Sequence, residues 1–167
     1  MRTYVAIDLE TTGLDPERDR ITEVGAVRFD EQGTVLDTYQ SLVNPGREIP
    51  YFIEQLTGVT NLAVRDAPAL ADIAAAFRAF VGVSTLVGQN VGFDLFCLRR
   101  EGVPLDVSAV DTANLSRLLL PARQPRGLMD LAAVLGVDAA EHHRALPDAK
   151  TAAGIFTALL RRLDEIP

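Results

Sequence analysis

The sequence predicts an α/β protein in which helices cover a mixed central sheet. Three runs rich in apolar and β-branched residues occupy the first third of the chain, at residues 4–7, 20–29 and 34–43. Short connections between these runs predict an antiparallel three-strand meander that ends in a turn at residues 44–46. In the rest of the chain, helical periodicity alternates with short apolar runs, which predicts parallel strands beside the meander.

The later elements are identified by their apolar spacing and by the residues that end them. Short strands are expected at residues 85–87 and 107–110. Helices are expected at residues 70–80, 93–100 and 128–135, the first ended by Gly82 and the last by Gly136. The final helix has Pro147 near its first turn, where proline is tolerated. Its inner stripe is Ala149, Ala152, Ala153, Phe156, Leu159, Leu160 and Leu163.

Length and composition exclude several classes of protein. The 167 residues are 48% hydrophobic, which suits one folded domain over residues 1–167 and excludes disorder. No apolar run reaches the length of a membrane span, and residues 1–4 lead into a strand without a signal-peptide pattern. Cys97 is the only cysteine, so a disulfide framework and a thiolate zinc site are excluded. We therefore expect a soluble, cytoplasmic domain.

The charge is negative but unevenly distributed. The formal net charge is −7, of which residues 1–83 carry −6 and residues 84–167 carry −1. Residues 112–129 contain no acid but include Arg117, Arg123 and Arg126. The overall charge argues against non-specific coating of nucleic acid. It is compatible with a basic lip beside an acidic site that holds metal ions, since bound cations invert the local field.

A pair of carboxylates lies at the end of the first strand. Asp8 and Glu10 are two residues apart, so their side chains share one face of that strand. Like charges this close raise a pKa unless a cation neutralises them, and such oxygen ligands suit Mg²⁺ or Mn²⁺. Taken alone, such a pair is more often explained as solvated acids at a strand end.

Three further segments have both a chemical and a structural interpretation. Residues 11–14 (TTGL) can receive a sugar or a phosphate, or form an ordinary turn. Asp94 lies at a strand-to-helix junction, where Asn90 is a candidate helix cap and Asp94 a first-turn acid. His142 and His143 precede Asp148 at the start of the last helix. Such a segment offers a metal carboxylate and an imidazole that titrates near neutral pH, or only a surface histidine pair.

The order of these segments carries more information than any one of them. Residues 8–13 (DLETTG), 90–94 (NVGFD) and 143–148 (HRALPD) together closely resemble the DnaQ-like 3′–5′ exonucleases of the DEDDh type. This superfamily has a ribonuclease-H-like fold and includes the polymerase III epsilon (proofreading) subunits. The similarity covers essentially the whole chain, with further matches at residues 21–29, 43–45, 56–60 and 66–68.

The resemblance implies a role for each matching residue. Asp8, Glu10 and Asp148 would ligate two divalent ions, Mg²⁺ or Mn²⁺, with Asp94 bound to one of them directly or through water. His143, five residues before Asp148, would be the general base. One wall of the site for the terminal nucleotide would be formed by Thr11, Thr12, Gly13 and Leu14. Candidates for the other wall are Phe52, Leu56 and Thr57. Asn90 would also contact the substrate.

The implied activity is removal of nucleoside 5′-monophosphates from the 3′ end of single-stranded DNA. The nearest alternative keeps this chemistry on RNA, as an exoribonuclease resembling oligoribonuclease or ribonuclease T. Gln89 stands where many relatives have His, and Thr57 where some proofreading subunits have His, which leaves the substrate preference open. A non-catalytic nucleic-acid-binding module and a ribonuclease-H-like endonuclease are further alternatives. A DNA polymerase or a helicase is a candidate partner. The chain ends soon after the last helix, so a free-standing enzyme, a polymerase subunit and a domain of a longer protein all stay open.

Overall fold

The computed structural model describes residues 2–121, 127–139 and 142–164. Their centre is a five-stranded mixed sheet with the strand order β3-β2-β1-β4-β5. The first three strands form the expected antiparallel meander, and β4 and β5 add in parallel beyond β1. The strands are β1 (Thr3–Thr11), β2 (Ile21–Asp30), β3 (Val35–Leu42), β4 (Thr85–Gly88) and β5 (Ala109–Asp111).

Seven helices surround this sheet in the described part of the chain. They are α1 (Tyr51–Thr57), α2 (Asn61–Val64), α3 (Leu70–Val81), α4 (Gly92–Arg100), α5 (Thr112–Leu119), α6 (Leu128–Leu135) and α7 (Ala145–Asp164). The predicted helices correspond to α3, α4, α6 and α7, and Gly82 and Gly136 cap α3 and α6 as expected. None of the described helices is long and apolar enough to cross a membrane.

The two faces of the sheet pack against different helices because side chains alternate along a strand. Val5, Ile7 and Leu9 of β1 join the core formed with α3 and α4. Ala6 faces the opposite way and packs in the core that includes Ala149 of α7. The even-numbered residues of β1 therefore face α7, and Asp8 and Glu10 continue this row.

The structure corrects the predicted elements in four respects. It adds α1, α2 and α5, and β5 begins at Ala109 rather than at residue 107. Strand β1 extends to Thr11, so Asp8 and Glu10 lie within the strand rather than after it. Leu163 is about half exposed and does not belong to the inner stripe of α7. Arg123 and Arg126 of the predicted basic lip lie outside the described residues.

Candidate active site

Asp8, Glu10 and Asp148 form a compact carboxylate cluster. Strand β1 places Asp8 and Glu10 on the face that α7 covers, and Asp148 lies in the first turn of α7. One carboxylate oxygen from each residue lies within 4.8 Å of the others. Residues separated by some 140 positions in the chain thus meet where the strand and the helix converge. The three predicted ligands are therefore brought together.

Asp94 borders the same cluster from the opposite side. It lies in the first turn of α4, is buried, and lines a cavity of about 440 Å³ together with Asp8 and Glu10. The backbone N–H groups of Leu9 and of Asp94 itself donate to its carboxylate.

Crowding among these carboxylates disfavours their charged forms. Removal from water raises the pKa of Asp8 well above its ordinary value, and the charges of Asp94, Glu10 and Asp148 raise it further. Burial and the charges of Asp148, Glu23 and Asp94 raise the pKa of Glu10 to about 8. Burial also raises the pKa of Asp94 to about 8, against the opposing effect of its two backbone hydrogen bonds. The protein thus concentrates acids that it does not itself neutralise.

The two histidines stack on each other beside Asp148. Their ring centroids are 3.7 Å apart, and both residues line a second cavity, of about 350 Å³, with Asp8, Glu10 and Asp148. The Nδ1 of His142 lies 2.9 Å from an Asp148 oxygen, whereas His143 donates its backbone N–H to the same carboxylate. Burial and the neighbouring His142 lower the pKa of His143. The contact of His142 with Asp148 was not predicted from the sequence.

The loop after β1 is organised by Asp19. Its carboxylate accepts a hydrogen bond from the Thr12 hydroxyl, at 2.9 Å, and another from the backbone N–H of Asp15. A Cβ at Gly13 would lie 2.3 Å from an Asp19 oxygen, so only glycine allows this close approach. Thr12 is buried, and its hydroxyl is used within the loop. Thr12 and Gly13 therefore have a structural role in the loop, and their contact with a substrate stays a prediction.

The other predicted substrate residues fall into two groups. Thr11, Leu14 and Asn90 line the cleft with the carboxylates, and Leu14 is 87% exposed. Asn90 has a φ of 53° and precedes the Val91 cap of α4, so its predicted role as the helix cap is wrong. Its backbone N–H donates to Asp111, the N-cap of α5. The remaining three, from α1, are Phe52, Leu56 and Thr57.

The α1 residues are not among those that line the cleft. Phe52 and Leu56 are exposed, so neither is a core residue. Thr57 is buried, and its hydroxyl donates to the carbonyl of Ile53 and accepts from the N–H of Val59. Its side chain is thus engaged within the α1 turn.

Sequence reasoning missed the ion pair between Glu23 and Arg144. Glu23 lies on β2 directly opposite Glu10 and is completely buried. Burial alone would raise the pKa of Glu23, but hydrogen bonds from Arg144, Gln40 and the N–H of Ala145 outweigh it and lower this pKa. The available signal was an acid in the first half of β2, followed by the apolar and small residues 24–27, together with an arginine inside the histidine–aspartate segment.

The site combines clustered carboxylates, an imidazole pair and an open, partly apolar cleft. Clustered acidic oxygens are suited to hard divalent cations, and an imidazole beside them is suited to proton transfer. The arrangement is therefore suited to chemistry that needs both a divalent cation and proton transfer.

Comparison with known proteins identifies the family. The family model described as "Exonuclease" (RNase_T) matches residues 5–156. The DNA polymerase III PolC-type protein of Clostridium perfringens is 35% identical over 166 residues, which cover 97% of this chain and 11% of that protein. The corresponding Caldanaerobacter subterraneus protein is 36% identical over 167 residues, with coverage of 98% and 12%. The chain thus corresponds to a small part of each polymerase.

Solved structures agree with this assignment. Exonuclease X in complex with 5′-overhanging duplex DNA superposes with a TM-score of 0.80 at 25% identity, over 95% of this chain and 91% of that one. Exonuclease I of E. coli in complex with a dA16 oligonucleotide shares the fold, with a TM-score of 0.80 at 19% identity over 99% and 42% of the two chains. The chain belongs to the DnaQ-like exonuclease family, as the sequence resemblance predicts.

Proposed function

We propose that this protein is a metal-dependent 3′–5′ exonuclease that shortens single-stranded DNA and releases nucleoside 5′-monophosphates. The observation that carries the proposal is the meeting of Asp8, Glu10 and Asp148 within 4.8 Å in an open cleft. Membership of the exonuclease family and the similarity to a DNA-bound exonuclease support the choice of reaction and polymer. In this proposal residues 1–167 act as one catalytic domain.

The donor set of the site fits divalent cations. Asp8, Glu10 and Asp94 all have raised pKa values, mainly because they are buried and, to a lesser extent, because of neighbouring negative charges. Bound cations would balance the charged carboxylates, and carboxylate oxygens are the ligands that Mg²⁺ and Mn²⁺ prefer. We propose that Asp8, Glu10 and Asp148 hold two such ions and that Asp94 holds one of them directly or through water. When bound, the pair supplies an activated water and stabilises the leaving oxygen.

His143 is proposed as the general base. The lowered pKa of His143 keeps the imidazole neutral near pH 7, so that it can accept a proton from the attacking water. His142 is engaged through Nδ1 with Asp148, which leaves His143 as the imidazole without this contact. The spacing of His143 from Asp148 is also that of the family motif.

The 3′-terminal nucleotide is proposed to bind in the cleft between Leu14 and Asn90. Leu14 is an exposed apolar side chain at the rim, where it can pack on a base without reading its identity. Thr11 lines the same wall. Phe52 and Leu56 offer further exposed apolar surface on α1 for the penultimate base or the opposite wall. A DNA polymerase is proposed as a partner because the curated relatives are polymerases.

The proposal is tested with matched 5′-labelled DNA and RNA single strands of one sequence, incubated with Mg²⁺, Mn²⁺ or EDTA and resolved over time. We expect stepwise shortening of the DNA from the 3′ end, release of 5′-monophosphates, and no shortening in EDTA. Faster shortening of the RNA than of the DNA would show that RNA, rather than DNA, is the preferred substrate. Internal cuts would indicate an endonuclease, and no shortening of either polymer by folded protein would contradict the proposed activity.

A further inference from the structure

Glu23 and Arg144 form a bidentate ion pair directly beneath the start of α7. The Nε and Nη2 of Arg144 donate to the two oxygens of Glu23 at 2.9 and 2.8 Å. The side chain of Gln40 and the backbone N–H of Ala145 donate to the same carboxylate, at 2.8 and 3.2 Å. Four hydrogen bonds thus fix one fully buried acid, and three of them come from Arg144 and Ala145, which directly follow His143.

Glycine at position 25 lets this part of the chain approach the sheet closely. A Cβ at Gly25 would lie 2.2 Å from the carbonyl carbon of Ala145 and 2.3 Å from the nitrogen of Leu146. The backbone at the start of α7 therefore rests directly on β2, two residues along the strand from Glu23. The ion pair and the glycine fix the same short stretch of backbone.

His143 is the residue that this arrangement orients. Its φ of 62° lies in the left-handed region, which a non-glycine residue adopts only when the surrounding structure holds it there. The next residue is Arg144, anchored to Glu23, and the His143 N–H donates to Asp148 at 3.0 Å. The backbone of His143 is therefore clamped between the ion pair on one side and Asp148 on the other.

We infer that the Glu23–Arg144 ion pair positions the His143 imidazole over the carboxylate cluster. This inference rests on the proposed function, in which His143 is the general base. The pair is not needed to attach α7 to the sheet, because Ala149, Ala153 and Phe156 of α7 already pack in the core of that face. A buried ion pair also adds little net stability compared with apolar groups of the same size. Its effect is local and falls on the backbone that carries His143.

Arg144→Ala tests this role when it is combined with His143→Ala in a double-mutant cycle. We expect Arg144→Ala alone to lower kcat about 10- to 100-fold, as misplacement of a catalytic group by a fraction of an ångström does. The KM for the oligonucleotide and the affinity for Mn²⁺ should change less than about threefold, since the three ligand carboxylates stay in place. In the His143→Ala background, Arg144→Ala should cause little further loss, because both changes remove the same contribution.

The conservative variant and a control on the same helix complete the experiment. Arg144→Lys keeps the charge but loses the bidentate geometry, so we expect a kcat between those of the wild type and Arg144→Ala. Arg161, near the far end of α7, donates to the carbonyl of Gln32, and Arg161→Ala should leave kcat unchanged. Additive losses in the double variant, or a fall in Mn²⁺ affinity that parallels kcat, would overturn the inference.

A measurement without turnover separates this inference from the proposed activity. The His143 amide, bonded to Asp148, should exchange slowly with solvent in the wild type and at least about tenfold faster in Arg144→Ala. Inactive wild-type protein would contradict the proposed function, and the amide exchange would still test the positioning role. Should Arg144→Ala not fold, the charge-neutral Glu23→Gln/Arg144→Met variant gives the same readouts. If neither variant folds, the Glu23–Arg144 ion pair is required for folding itself, and the inference is overturned.

Discussion

Glu10 and Glu23 lie directly opposite each other across the antiparallel β1–β2 pair, on the face covered by α7. Two acids so placed repel each other, and the protein resolves the conflict asymmetrically. Glu23 accepts hydrogen bonds from Arg144 and from two other donors, the Gln40 side chain and the Ala145 N–H, which outweigh burial and lower its pKa. The pKa of Glu10, by contrast, is raised to about 8. Glu23 is thus neutralised by Arg144 of the same protein, whereas Glu10 is left to be neutralised by a bound cation.

The metal-free protein should lose stability as the pH rises from about 6.5 to about 8.5. The ordinary pKa values of Glu10 and Asp94, 4.5 and 3.8, are both raised to about 8 on folding. At a pH between the ordinary and the raised pKa values, the folded state holds protons that the unfolded state has released. A rise in pH therefore favours unfolding. The slope is at most about 1.4 kcal/mol per pH unit for each such proton. The melting temperature in EDTA, measured across this range, checks the prediction.

The pH range from about 6.5 to about 8.5 lies outside the range in which His143 and Cys97 affect stability. The pKa of His143 is lowered from 6.5, and Cys97, whose pKa is raised from 9.0 to about 11, affects stability only above about pH 9. The matched control is Asp8→Asn, which removes one charge from the cluster and should give a shallower slope and an equal or higher metal-free melting temperature. A melting temperature that rises with pH in EDTA would show that the cluster is balanced without metal.

Substitution of the two histidines should have unequal effects. His143→Ala should reduce kcat about 10²- to 10⁴-fold, the usual contribution of a general base, with little loss of stability. His142→Ala removes the contact with Asp148 and the stacking on His143, but no proton acceptor in the proposed mechanism, and should reduce kcat less than about tenfold. Steady-state kinetics on one oligonucleotide compares the two variants. The reverse order would assign the base to His142.

Gly25→Ala should be destabilising and should impair catalysis together. The new Cβ would lie 2.2 Å from the backbone of Ala145, so the first turn of α7 must shift away from β2. Such overpacking typically costs about 1–3 kcal/mol in the free energy of unfolding. Gly92→Ala is the control for stability, because its Cβ would meet nothing within 4 Å. Urea denaturation of both variants gives the comparison, and equal stability for the two would contradict the close packing at Gly25.

Leu14→Ala should weaken substrate binding without affecting the fold. Leu14 is 87% exposed, so its removal should leave the melting temperature unchanged. Loss of an apolar surface for the terminal base should raise KM about 3- to 10-fold. Val83→Ala is the matched control, since Val83 is 99% exposed and is not among the residues that line the cleft. An unchanged KM for Leu14→Ala would remove Leu14 from the proposed binding site.

The sequence predicts the elements whose periodicity is long enough to be distinctive. Helix α3 has its apolar residues at helical spacing and a glycine at its end, and both features are found in the structure. Helix α5 was missed although it is as long as the predicted α6, at 8 residues. Helices α1 and α2 were missed because they span only 7 and 4 residues. In a helix this short, caps and tertiary contacts decide the conformation more than amphipathic spacing does.

In the site, relationships between residues close together in the sequence were predictable, whereas contacts between distant residues were not. The i, i+2 spacing of Asp8 and Glu10 is local, and it correctly predicts a shared face of one strand. The pairing of Glu23 with Arg144 joins residues 121 positions apart and depends on the strand register and on the close approach allowed at Gly25. The hydrogen bond from the Thr12 hydroxyl to the Asp19 carboxylate likewise depends on how the loop folds back.

Titration of Mn²⁺ into metal-free protein tests the central claim, that the carboxylate cluster is a metal centre. Calorimetry at about pH 7.5 in two buffers of different ionisation enthalpy measures both the number of ions bound and the protons released. We predict two Mn²⁺ ions per chain and a net release of protons, because Asp8, Glu10 and Asp94 have raised pKa values and must be deprotonated to bind. Asp8→Asn should bind fewer ions. Absence of binding, or binding that releases no protons and is unaffected by Asp8→Asn, would contradict the account.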